Sequence, residues 1–342
     1  MGFTSDIKTH SDFNQLMTWF LSEKSLYVEK KEYWNISLFA KNISNLYQNL
    51  PVIINDLKQS SIPVKLLSDD NLKERDDEYL EPIIRLKKYV HKHLREYIVD
   101  FLIHGSIATL DYSKGWSDLD TLVIVNNQTL QDYDKLVDFR SKVIECYGFL
   151  LEIDPHQHHG FIFCTEKSLS QYFSHYLPLE VLFQSKSLLG DSEIKLHHKR
   201  RTEDAFHSFS NKNLILHSAY LNKELRHHSY QNNYLSENFK NLDAMYQLKY
   251  FLSIIMTLPT YYLDAKGAPC YKKDSFEIVR NEFEEYWEII DKASLIRLKW
   301  PNNEDHPYIG NLIPNWVVDT LGSEYFFRAY KLSNAMLNSL KN

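Results

Sequence analysis

Apolar positions along this chain change period twice, and the changes divide it into three parts. Up to about residue 97 the spacing is helical. Phe13, Leu16, Trp19 and Phe20 recur every three or four residues, and residues 27–57 are rich in apolar and aromatic side chains interrupted at Pro51. After a polar stretch at 68–77, Leu80, Ile83, Leu86, Val90, Leu94 and Tyr97 share one helix face. Residues 97–104 and 121–125 are instead short, β-branched apolar runs bounded by turn formers, which predicts two buried strands. Leu130, Tyr133, Leu136, Val137, Val143 and Ile144 then predict a helix, and two further strands are expected at 149–154 and 160–164.

Beyond residue 191 the helical period returns. Phe239, Leu242, Met245, Leu252 and Ile255 form a stripe expected to stop at Pro259. Asp274 and Glu277 suggest a capping box for a helix carrying Phe276, Val279, Phe283, Trp287 and Ile290, and Ser323 suggests the start of a last helix. The fold class expected is α+β: a helical region over 1–97, a small mixed-sheet domain over 98–190 and a helical bundle over 191–342. No internal repeat is present.

Composition narrows the function. With 44% hydrophobic and 25% charged residues and only 9 glycines, the chain has the makeup of a packed protein rather than a linker-rich one. A net charge of −6 does not suit a sequence-independent grip on nucleic acid, which needs a strongly basic surface. Cys146, Cys164 and Cys270 are odd in number and widely spaced, which fits reduced thiols in a cytoplasmic protein better than a disulfide framework or zinc knuckle. No stretch has the apolar length of a membrane span, so no membrane partner is expected.

The chemistry concentrates in residues 103–125. Gly105-Ser106 follows a predicted strand and precedes a short helix, a turn where backbone N–H groups can hold a phosphate and a glycine lets it come close. A bulky side chain at Gly105 is therefore expected to weaken nucleotide binding more than stability. Asp118 and Asp120, two apart at the mouth of the next strand, point to the same side and can share one hard cation. Magnesium suits such a pair, because it takes oxygen ligands and keeps positions open for water and substrate phosphates. Without a compensating ion, two like charges beside a buried strand would be costly.

This segment resembles the DNA polymerase beta-like nucleotidyltransferase superfamily, whose signature is an apolar residue, Gly-Ser, a loop, and Asp-x-[Asp/Glu] entering a strand. The resemblance implies a nucleoside triphosphate on Gly105 and Ser106, and two Mg2+ ions, or Mn2+ in their place, bridged by Asp118 and Asp120. It implies transfer of a nucleoside monophosphate, AMP in the leading reading, to an acceptor hydroxyl with release of pyrophosphate. Ala108, Thr109 and Leu110 stand where many members carry a basic residue. The superfamily also uses a third carboxylate on a later strand, for which Asp154 is preferred and Glu152 is the alternative. His156, His158 and His159 match no standard zinc spacing and read as polar loop residues.

Residues 178–191, ending Leu188-Leu189-Gly190-Asp191, are similar to the segment that closes this domain in small-substrate enzymes. Residues 246–273 loosely resemble the helical domain of aminoglycoside-type adenylyltransferases, with Lys249, Lys272 and Lys273 within them. A small-molecule acceptor is therefore the first expectation. Nucleotidylation of a protein partner and a non-catalytic nucleotide-binding module are the alternatives.

Overall fold

Reciprocal capping starts the first helix: the Thr9 side chain accepts from the Asp12 N–H, and the Thr9 N–H donates to Asp12 Oδ2 at 2.9 Å. The computed structural model describes residues 7, 9–22, 35–51, 57–154, 160–172, 177–198, 202–221, 244–300 and 313–341. They form an α+β protein in two compact units, Met1–Tyr112 with Ser117–Arg200, and Ser113–Trp116 with Arg201–Asn342. Phe239, Leu242, His156, His158 and His159, singled out in the sequence, lie outside the described residues.

In chain order, the first unit contains α1 (His10–Phe20), α2 (Ile36–Gln48), β1 (Lys58–Leu66), α3 (Asp69–Tyr89), β2 (Ile98–His104), α4 (Gly105–Ala108) and β3 (Asp120–Val125). It continues with α5 (Asn127–Gln131), α6 (Tyr133–Ile153), β4 (Ile162–Thr165), α7 (Glu166–Leu169), α8 (Leu179–Phe183), β5 (Lys186–Ser187) and β6 (Ser192–His198). The sheet is mixed, in the order β4-β3-β2-β5-β1-β6. β2 and β3 run antiparallel, with Ile103 opposite Thr121 and His104 opposite Asp120, while β3 and β4 run parallel.

Alternation along the central strands feeds two cores. Phe101, Ile103, Val123 and Val125 face one side, and Leu102, Leu122 and Ile124 the other. That double burial is why these strands read as continuous apolar runs. The first face is covered by Phe13, Phe20, Tyr47 and Leu86, so the helices before residue 97 share one core with the strands after it. At the sheet's β4 edge the Phe163 N–H donates to Thr18 Oγ1 at 3.2 Å, which gives one edge group a partner from α1.

Three expectations give way here. Residues 149–154 form no strand: α6 runs to Ile153, because buried Val143, Cys146, Tyr147, Leu150 and Ile153 extend the helical stripe begun at Leu136 and Phe139. Exposed Leu151 shows that the apparent alternation of period two was incidental. Residues 58–66, within a region read as helical, are a strand whose Ile62 and Val64 are buried between polar neighbours. β5 reaches β1 only at Lys65 and Leu66, so Pro63 sits where the strand is paired on one side and its missing N–H is tolerated. The sheet also extends past residue 190, since β6 alternates buried Ile194, Leu196 and His198 with more exposed polar residues.

The second unit is helical: α9 (Thr202–Leu221), α10 (Ala244–Ala265), α11 (Lys272–Arg280), a 3-10 turn (Asn281–Tyr286), α12 (Glu288–Lys299), α13 (Asn315–Leu321) and α14 (Tyr325–Ser339). Its core joins Phe209, Phe251, Tyr262, Trp287, Tyr325 and Leu332. Pro259 does not stop α10, which carries buried Leu258, Tyr262 and Leu263 on to Ala265. Asp274 and Glu277 make no cap, for α11 opens at Lys272; the helix then breaks at Phe283, whose φ of −128° and ψ of 35° are not helical. The last helix opens at Tyr325, two residues after Ser323. No helix among the described residues is long and apolar enough to cross a membrane.

Candidate functional site

β2 delivers the chain to Gly105, which turns it sharply into α4 with φ of +67°. Only glycine adopts that region without steric cost. A Cβ added there would collide with Asp120 Oδ2 and stand 3.2 Å from the Asp120 Cγ. Gly105 and the Asp120 carboxylate are thus in direct apposition, as the pairing of His104 with Asp120 across β2 and β3 requires.

The segment leaving α4 is held by its own backbone. The Asp111 N–H donates to the Ser106 carbonyl at 2.8 Å, and the Thr109 hydroxyl donates to the carbonyl of Gly105 at 3.3 Å. Leu110 has φ of +56°, a left-handed conformation that a leucine adopts only under constraint. Part of that constraint comes from α3: Arg75 Nη2 donates to the Leu110 carbonyl at 3.4 Å, and Tyr79 stacks on Tyr112 with centroids 5.4 Å apart while its hydroxyl donates to the Ser117 carbonyl. Burial, and then the charge of Asp76, raises the pKa of the Tyr112 phenol. Arg75 and Tyr79 escaped sequence reasoning, because nothing in a polar helix start announces which loop it will brace.

Ser113–Trp116 belongs to the helical unit, where Trp116 meets Trp300 edge to face at 4.8 Å and the Ser113 hydroxyl donates to the Arg297 carbonyl. The chain then passes through buried Ser117 to Asp118, Leu119 and Asp120. Leu119 is fully buried whereas both aspartates are partly exposed, as alternation at a strand entrance demands.

Asp154 sits at the C-cap of α6, 1% exposed and extended, with its N–H donating to the Leu150 carbonyl at 2.9 Å. It lies on a helix end, not on a later strand, and β4 itself carries no carboxylate. Topology still returns it to the same end of the strands: β4 runs parallel to β3 and α5 and α6 connect them, so α6 finishes toward the end of the sheet at which both strands begin. Glu152 is on the outer face of α6 and pairs with Arg85, which also binds Glu81 and lies 5.5 Å from the Phe149 ring centroid. Those hydrogen bonds, Glu152 first, raise the Arg85 pKa. Glu152 thus already has a surface ion pair of its own.

Among the described residues no group of three or more His, Cys, Asp and Glu side chains is gathered to hold a metal ion. Asp118 and Asp120 flank buried Leu119, and the missing Gly105 side chain leaves space beside Asp120. Those donors fit magnesium, which is commonly held by one or two protein carboxylates with waters and substrate phosphates completing its shell.

The closing segment has a structural task. Asp191 accepts from the Leu66 N–H at 2.8 Å and from Lys65 Nζ at 3.2 Å, which keeps its carboxyl below the ordinary value. Lys249 is on α10, and Lys272 and Lys273 open α11. Comparison with protein-family models, with curated proteins and with solved structures finds no match to this chain.

Proposed function

We propose that this protein is a metal-dependent nucleotidyltransferase of the polymerase beta-like type. The observation that carries the reading is the apposition of Gly105 with the Asp120 carboxylate, which brings the Gly-Ser turn and the second aspartate of the Asp-x-Asp pair together in space. In this reading Asp118 and Asp120 hold magnesium, with Asp154 as the third carboxylate, and Gly105 and Ser106 receive the phosphates of a nucleoside triphosphate. Bound magnesium would neutralise phosphate charge and favour attack of an acceptor oxygen on the α-phosphate, with pyrophosphate leaving. The chain's own contribution is positional. Gly105 leaves room at the carboxylate, Leu119 anchors the two aspartates on either side of it, and Arg75 and Tyr79 stiffen the connecting loop.

The leading acceptor is a hydroxyl on a small molecule, and AMP is the leading group transferred. Pyrophosphate release measured with each of the four common triphosphates, with magnesium or manganese and with or without cell extract, tests the reading. Metal-dependent release that needs a small-molecule fraction supports it, whereas release that needs a protein fraction moves the acceptor to a protein. Absence of triphosphate binding at millimolar concentration rejects the enzyme in favour of a non-catalytic module.

A further inference from the structure

Several partly buried lysines in this protein are supplied with acceptors. Lys87 donates to the Leu67 carbonyl and to Asp69, Lys167 to the Tyr47 carbonyl and Lys292 to the Leu321 carbonyl. Lys212, on α9, is partly buried too, yet it makes no hydrogen bond and no ion pair with any described residue. Its Nζ lies 6.0 Å from the ring centroid of Tyr250 and 5.9 Å from that of Tyr261. Those residues stand about three turns apart on α10, so both rings project from one face of that helix.

At such separations, near the outer limit of cation–π attraction, the rings wall the ammonium without satisfying any of its three N–H donors. Burial raises the pKa of the Tyr261 phenol, with Ser208, one turn before Lys212 on α9, opposing that rise and the charges of Tyr250 and Asp264 adding to it. Burial alone lowers the Lys212 pKa, with no neighbouring charge contributing. The side chain is thus only partly exposed, unlike a long surface lysine that carries its whole head group into bulk water. An ammonium that is partly desolvated, aromatic-walled and without an acceptor among the described residues is costly to the protein, and an anionic oxygen placed on it would offset that cost.

We propose that Lys212, between Tyr250 and Tyr261, is a binding site in the helical unit for an oxyanion group, a carboxylate or a phosphate, on a ligand. The site uses none of the residues of the Gly-Ser turn or the Asp-x-Asp pair, and it stands whether or not the transferase reading does. A compact oxyanion suits it because an ammonium acts as a point charge with three rotatable donors and asks for no planar fork.

The test uses the full-length protein in magnesium-free buffer with chelator. Inorganic phosphate and, separately, acetate replace chloride at constant ionic strength, followed by calorimetry and thermal melting. The wild type is expected to bind at least one of the two saturably, phosphate alone marking a phosphate site and acetate a carboxylate site. Lys212→Met, with Lys212→Gln as the parallel variant, should lose at least about tenfold in affinity while melting no lower than wild type, and Gly105→Ala should retain binding. Binding lost in Gly105→Ala but kept in Lys212→Met assigns the anion to the Gly-Ser turn and overturns the proposal. So does the absence of binding by either anion.

Discussion

The Asp120 carboxylate occupies the space that a side chain at Gly105 would need. The consequence changes what a substitution there reports. Gly105→Ala should lose about 1–2 kcal/mol from the left-handed backbone alone, and more from displacing Asp120. Magnesium-dependent triphosphate binding, read by calorimetry, should fall together with the melting temperature, whereas the sequence alone suggests binding loss at unchanged stability. A Gly105→Ala variant that melts like wild type would show that the turn relaxes at no cost.

Asp118→Asn and Asp120→Asn keep side-chain volume while removing the charge that ligates a cation. Each should lower metal-dependent pyrophosphate release about a hundredfold or more, which corresponds to several kcal/mol of transition-state stabilisation. Both aspartates are partly exposed, so circular dichroism and melting should change little. Near-wild-type turnover in either variant would sink the metal-site reading.

Asp154 and Glu152 separate cleanly. Glu152→Gln removes an ion pair whose members are both over two-fifths exposed, worth about 0–1 kcal/mol, and should leave turnover unchanged. Asp154→Asn acts on a fully buried carboxyl at the end of α6 and should reduce turnover by the larger factor. Equal, mild losses from the two would argue against a third carboxylate.

Lys212 predicts a pH dependence whose sign is fixed by burial. Its folded pKa lies below the unfolded value, so between the two the unfolded chain binds more protons and stability rises with pH. Urea unfolding of wild type and Lys212→Met should therefore show the wild type gaining on the variant as pH climbs toward 10.5. The neighbouring phenols of Tyr250 and Tyr261, both raised by burial, titrate in both proteins and cancel in the difference. A difference that stays constant, or that moves in the variant's favour, would contradict the desolvation of this ammonium.

What the sequence made legible follows burial geometry. β2 and β3 are buried on both faces, so their apolar runs stood out, and Gly105, Asp118 and Asp120 were visible as interruptions of those runs. β1 was hidden because only Ile62 and Val64 face the core, beside a proline and five polar residues. Residues 149–154 misled for a different reason. Near a helix end, Leu151 and Ile153 alternate with Glu152 and Asp154 by chance, and only the longer stripe from Leu136 to Ile153 decides the period. The left-handed Leu110 and its braces Arg75 and Tyr79 left no local signal, since they answer to tertiary contacts alone.

The bond from Phe163 to Thr18 gives the N-terminal helix a second occupation: it stands guard over an edge that would otherwise invite a stranger. A chain trimmed past Phe20 would lose Phe13, Met17 and Phe20 from its core and would also offer β4 as a docking rail for the same strand of a neighbouring molecule. Proteolytic clipping of that short stretch would then turn a self-contained molecule into one with a tendency to dimerise edge to edge, a hazard held off by the helix that carries Thr18.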